Sequence, residues 1–242
     1  MEVHAHTHTP RKKWTHYFWE FFMLFLAVFC GFLAENWREY YVERHRENEY
    51  VAHLLIDLKR DTAYFNLVAR VMEKQLKTFD SSNIALDQIP SLKDAEFIRL
   101  VLPLRTTYPI TTTTTTFTQM KNSGSLRYIK DFELSSKLSR YYDGVVPQLL
   151  AFFKNMDDYY LSNIDPFIVQ HFDLSESDFN TDTLKTNNPT YLERTNKSDF
   201  ILKNLLIKYY NSLNFNYSET LADANHYASN LIDLIQKEYH LK

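Results

Sequence analysis

The chain has 242 residues, a formal net charge of −3, 45% hydrophobic residues, 3 glycines and 7 prolines. So few turn formers beside so much apolar content exclude a loop-rich or collagen-like chain and point to an all-α fold. The near-balanced charge leaves no basic surface for nucleic acid, and a single cysteine, Cys30, rules out an internal disulfide.

Residues 1–13 read as a His-rich tail. His4, His6 and His8 alternate with small or polar residues, a spacing that lets imidazoles chelate a borderline divalent metal such as zinc, nickel or copper. A complete site needs a further ligand, and His16 is the nearest on offer. Without one, the tail is a solvated segment that binds metal only incidentally, and no cofactor is expected.

Residues 14–34 read as a transmembrane helix. The longest apolar run in the chain is Phe21 to Ala34, and counted from Trp14 the stretch reaches the roughly 20 residues that cross a hydrocarbon core of about 30 Å. Arg11, Lys12 and Lys13 precede it. Trp14, Tyr17 and Trp19 gather at one end and Trp37, Tyr40 and Tyr41 beyond the other, as aromatic rings do at a membrane interface. A cleaved signal peptide needs small residues at the last and third-last positions before the cut, and Phe32 spoils the best candidate, after Ala34. A lipoprotein site at Cys30 has Phe29 where a small residue belongs. An uncleaved anchor is therefore expected, with the basic tail in the cytoplasm and the body in the periplasm of a bacterium with two membranes.

Glu20 is out of place in such a span, because a carboxylate in hydrocarbon costs several kcal/mol unless protonated, paired or able to reach water. His16 lies one helical turn before it, on the same face. Ala27 and Gly31 form a small-xxx-small pair that allows another helix to approach closely. The four residues together mark a helix contact with a second copy or another membrane protein. The alternative is positional: Glu20 is close enough to Trp14 to snorkel toward the headgroups.

Residues 35–242 read as a helical bundle. No Gly or Pro lies between Glu35 and Phe79, so the membrane helix is expected to continue outward. Val51, Leu58, Phe65, Met72 and Phe79 recur seven apart, with Leu55, Ala69 and Leu76 on the companion positions and Thr62 breaking the row. That repeat is the seam of a coiled coil, and Leu54, Ile56, Val68 and Val71 widen it toward a bundle face. A loop is predicted over 80–92 and a short helix from Lys93 to Leu102, which Pro103 ends.

Eight threonines crowd the interval from Thr106 to Thr116. They suit an extended stretch, and with no second strand in sight the reading is a loop that runs into a helix capped by a late threonine. Phe117 to Ile129 then reads as a helix closed at Gly124 and restarted at Ser125. A helix over 131–163 carries apolar positions from Phe132 to Tyr160, with a kink predicted at Gly144 and Pro147 and a break at Pro166. Asp173 to Asn188 is the most polar part of the body and reads as a surface loop. Helices over 197–213 and 218–239 close the chain.

Catalytic signatures are missing. With only Gly31, Gly124 and Gly144 no glycine-rich phosphate loop can form, and HExxH, GxSxG and CxxC are absent. The pairs His45–Glu49 and His53–Asp57 sit at ligand spacing on one helix, but two ligands without a third describe an ordinary solvated helix face. Tyrosine doublets begin at Tyr40, Tyr141, Tyr159 and Tyr209. They offer stacking surfaces for sugar or peptide, although tyrosine at the edge of a buried face is the commoner use.

The stretch HTHTPRKKWTHYFWEFFMLFLAVFCGFLAE, the charged helix after it, FTQMKNSGSLRYI and the helix containing YY together resemble a family of uncharacterised bacterial proteins that bears only a domain-of-unknown-function label. The resemblance implies a single N-terminal membrane span and a helical extracytoplasmic body, and attaches no activity. The expected function is a non-enzymatic, membrane-anchored partner-binding or scaffold component at the inner membrane. The alternative is a periplasmic ligand sensor that signals through its transmembrane helix.

Overall fold

The computed structural model describes residues 14–86, 109–173 and 190–241. The chain divides into two units, Met1–Glu49 and Tyr50–Lys242. Helix α1, Trp14–Leu86, contributes to both. Across its 73 residues the only glycine is Gly31 and there is no proline, so nothing interrupts its backbone ladder.

The second unit holds α2 (Thr115–Asn122), α3 (Phe132–Arg140), α4 (Val146–Tyr159), α5 (Asp165–His171), α6 (Asn196–Phe215) and α7 (Ala222–Tyr239). A 3-10 turn, Ser125–Tyr128, follows α2. Three π-turns, Tyr141–Val145, Tyr160–Ile164 and Asn216–Leu221, join α3 to α4, α4 to α5 and α6 to α7. Helical backbone is therefore unbroken over 132–171 and over 196–239. Two-residue strands β1 (Phe172–Asp173) and β2 (Thr190–Tyr191) pair antiparallel, Phe172 opposite Tyr191.

Three long helical runs pack side by side in this unit. α3 meets α7 while α4 meets α6, so the last two runs are antiparallel. The C-terminal part of α1 lies parallel to the α3–α5 run. Val51, Leu54, Leu55 and Leu58 share one apolar cluster with Leu134, Leu138, Val146 and Leu231. Phe65, Val68, Met72 and Phe79 share the other with Leu149, Phe153, Ile164 and Leu206. Ala69 is half-buried, whereas Val51, Leu58, Phe65, Met72 and Phe79 of the predicted seam, with Leu55 and Leu76, are all buried. Each such side chain contributes roughly 1.5–3 kcal/mol by leaving water.

Two parallel neighbours need a return connection. Residues 109–116 supply its last part, running back alongside α1 from Tyr64, whose hydroxyl donates to the Pro109 carbonyl, to Asp57, which binds Thr116. The stretch is irregular up to Thr114 and helical from Thr115, as the sequence implied. Thr114 occupies the N-cap position of α2 but makes no side-chain cap bond.

Gly124 adopts the left-handed conformation, φ 70°, that ends the α2 turn. Asp131 caps α3 by accepting from the N–H groups of Glu133 and Leu134, and Thr195 with Ser198 forms a capping box on α6.

The sequence reading differs from the structure in several places. α1 runs to Leu86, so the loop predicted from residue 80 begins later. Phe132, assigned to the apolar face, is 85% exposed, because it is the first residue after the cap. Ile56, placed on the widened bundle face, is exposed as well. The kink at Pro147 and the break at Pro166 take the form of π-turns. A proline lacks the N–H for the bond to the fourth residue back and its ring crowds that carbonyl. A wider turn just before it relieves both. The predicted helix over 93–102 and nearly all of the polar stretch 173–188 lie outside the described residues.

Candidate functional site

The N-terminal candidates all belong to α1. No residue of its 18-residue apolar window is buried: phenylalanines 18, 21, 22, 25, 29 and 32 are all exposed. Their rings stack along the helix, Phe18 on Phe22 and Phe25 on Phe29, with planes 12° apart in each pair. His16 Nε2 stands 3.0 Å from Glu20 Oε1, one helical turn away. A methyl added at Gly31 would meet nothing within 4 Å, so the backbone there is open to close approach. This helix is long and apolar enough to cross a membrane. His4, His6 and His8 lie outside the described residues.

A second constellation lies inside the body, where Thr62 interrupts the apolar seam. Asp57 and Asp61, one turn apart on α1, are both buried. The Asp57 carboxylate accepts a hydrogen bond from the Thr116 hydroxyl at 2.5 Å. Asp61 accepts the Thr113 backbone N–H at 2.8 Å. The threonine segment is thus held to α1 by two carboxylates rather than by another strand.

The other Asp61 oxygen has no hydrogen-bond partner, and neither do the hydroxyls of Tyr141 and Tyr142. Tyr141 faces Asp61 without completing a bond of ordinary geometry. Phe117 stacks on Tyr142 with ring centroids 4.6 Å apart, and Tyr227 stacks on Tyr141 at 6.1 Å. Together these rings close the cluster in.

Burial pushes the Asp61 carboxyl above the usual range and the Asp57 charge pushes it the same way, while the Thr113 hydrogen bond opposes both. Burial, reinforced by the Asp61 charge, also holds the Tyr141 phenol neutral far beyond its ordinary range. The cluster therefore places a buried acid, shifted toward its protonated form, beside two tyrosine hydroxyls. It holds no basic partner that would make a nucleophile of any of them.

Sequence reasoning paired Asp57 with His53 and passed over Asp61. In the structure His53 is exposed and Asp57 points its bond at Thr116. His45 and Glu49 are both exposed. Among the described residues no three His, Cys, Asp or Glu side chains gather to hold a metal ion. Comparison with protein-family models, curated proteins and solved structures found no match.

Proposed function

We propose that this chain is a non-enzymatic, membrane-anchored helical protein whose body binds partners or scaffolds a complex at the inner membrane of a bacterium. One observation carries the reading: an 18-residue apolar stretch of α1 has no residue buried by the rest of the chain. Leaving its phenylalanines and leucines in water forfeits roughly 1.5–3 kcal/mol for each, so lipid or protein must cover them. Length and the aromatic residues at both ends favour lipid. Arg11, Lys12 and Lys13 favour a cytoplasmic tail and a periplasmic body.

Within the bilayer, the open face at Ala27 and Gly31 and the His16–Glu20 pair suit contact with a second copy or another span. The resemblance to single-span proteins with helical bodies agrees with this topology. The test is photo-crosslinking from single sites at Ala27 and Gly31 in intact membranes, with a topology reporter at Lys242. Adducts to a protein at either site are expected. Absence of a protein adduct from both sites and from residues 35–49 would overturn the partner-binding role. A soluble mature chain shortened at its front would overturn the anchor.

A further inference from the structure

A cleft of about 610 Å³ opens between α4 and α6, and its lining is unusual for helix surfaces. Four asparagines border it: Asn155 from α4, Asn204 and Asn211 from α6, and Asn216 from the π-turn that follows. Asparagine is a poor choice inside a helix, costing up to about 0.7 kcal/mol relative to alanine because its side chain competes for the backbone's hydrogen bonds. Here those side chains are not used locally. Asn155, Asn204 and Asn211 make no side-chain hydrogen bond to another described residue.

Asn216 is only 2% exposed. Its Nδ2 rests on the Met156 sulfur at 3.5 Å, a weak acceptor, and its Oδ1 has no partner. A buried carbonyl oxygen left unpaired costs about 1–3 kcal/mol. The apolar part of the cleft comes from Phe152 and Phe215, whose rings meet nearly edge to face at 5.6 Å, and from Ile207. Phe215 keeps 48% of its surface exposed. Lys208 lies 4.5 Å over the Tyr159 ring and is the one charged residue of the lining.

From these features we propose that the cleft binds a neutral saccharide. A sugar ring carries hydroxyls around its edge and a C–H face above and below. Amide side chains on both walls accept from and donate to the hydroxyls, and the exposed Phe215 face takes the C–H surface. The absence of carboxylates from the lining removes the charge that would select a cation. An extended peptide is less well served, because the cleft borders helices and offers no strand edge for main-chain pairing. The site does not depend on whether α1 crosses a membrane or touches another span, so its failure and the failure of the anchor reading are separate results.

The experiment uses the full chain in a detergent without a sugar headgroup. Saturation-transfer NMR and calorimetry are run with neutral tetrasaccharides of glucose, N-acetylglucosamine, mannose and galactose, and with an uncharged tetrapeptide. Binding of at least one tetrasaccharide is expected. It should weaken at least about tenfold in the double variant Asn204→Leu, Asn211→Leu. Asn230→Leu, outside the cleft, should leave it unchanged, with helix content equal in all three proteins. No saccharide signal at about 10 mM, a level that reports millimolar dissociation constants, overturns the proposal. So does equal affinity in the double variant, or binding of the peptide alone.

Discussion

Asp61 separates two ways of losing a buried carboxylate. Asp61→Ala removes the acceptor of the Thr113 N–H, a 2.8 Å bond, and leaves that donor without a partner in a site where Asp61 itself is 2% exposed. The expected cost is about 1–3 kcal/mol. At roughly 2–4 °C per kcal/mol for a domain of this size, that is a fall in melting temperature of about 2–12 °C. Asp61→Asn keeps an acceptor for Thr113, offers an N–H toward Tyr141, and removes the repulsion with Asp57. It is expected to be at least as stable as the native chain at neutral pH.

The pH dependence follows from burial. The folded state raises the Asp61 pKa above its unfolded value, so between the two values the folded chain holds more protons than the unfolded one, and stability falls as pH rises through that window. The penalty is complete above the folded pKa and absent below the unfolded one. Asp57, Tyr141 and Tyr142 face the same cluster in both proteins, and Asp157, also raised by burial, adds a slope of the same sign to both. The difference between native and Asp61→Asn curves therefore reports Asp61 together with its coupling to Asp57. Thermal unfolding by circular dichroism, from about pH 3 to pH 8, spans the ordinary carboxylate range and beyond. Two results would refute the reasoning: Asp61→Asn losing as much as Asp61→Ala at neutral pH, or its stability curve running parallel to the native one.

Leu58→Ala, at a fully buried seam position, should cost about 2–5 kcal/mol in denaturant unfolding. Ile56→Ala on the exposed side of the same turn should stay within about 0.5 kcal/mol, and equal losses would contradict the packing. Gly124→Ala should cost about 1–2 kcal/mol from the left-handed backbone alone, since an added methyl meets nothing within 4 Å. Gly124→Asn should recover part of that loss in the same unfolding assay.

The parts of the fold legible in the sequence were those with a local period. The row from Val51 to Phe79 reads as a seam because burial on one helix face repeats every seven residues, and all five members are buried. Gly124 was legible because only glycine takes φ 70° without strain. The acidic cluster was not. Asp57 and Asp61 at a spacing of four look like any solvated helix face, and their partners lie 59 and 52 residues downstream. A signal was nonetheless present: six consecutive threonines with no strand to pair with, and a threonine interrupting an otherwise apolar row. The β1–β2 pairing, two residues on each side, is too short to leave any alternation.

The π-turns show where local chemistry suffices and where tertiary context must act. The first begins at Tyr141, six residues before Pro147, and the second at Tyr160, six before Pro166. In both, the proline dictates the widening, and the buried tyrosine at the start of the turn is carried to its place by it. The third begins at Asn216, and six residues on stands Ala222, which has its N–H and no ring. No covalent feature there forbids an ordinary α-turn. What distinguishes the site is Asn216 itself, buried against Met156 with one amide oxygen unpaired. Without a proline to dictate it, the wider turn is set by packing: Asn216 and Leu221, at its two ends, are both buried, and it is the wider turn that brings both side chains into the core.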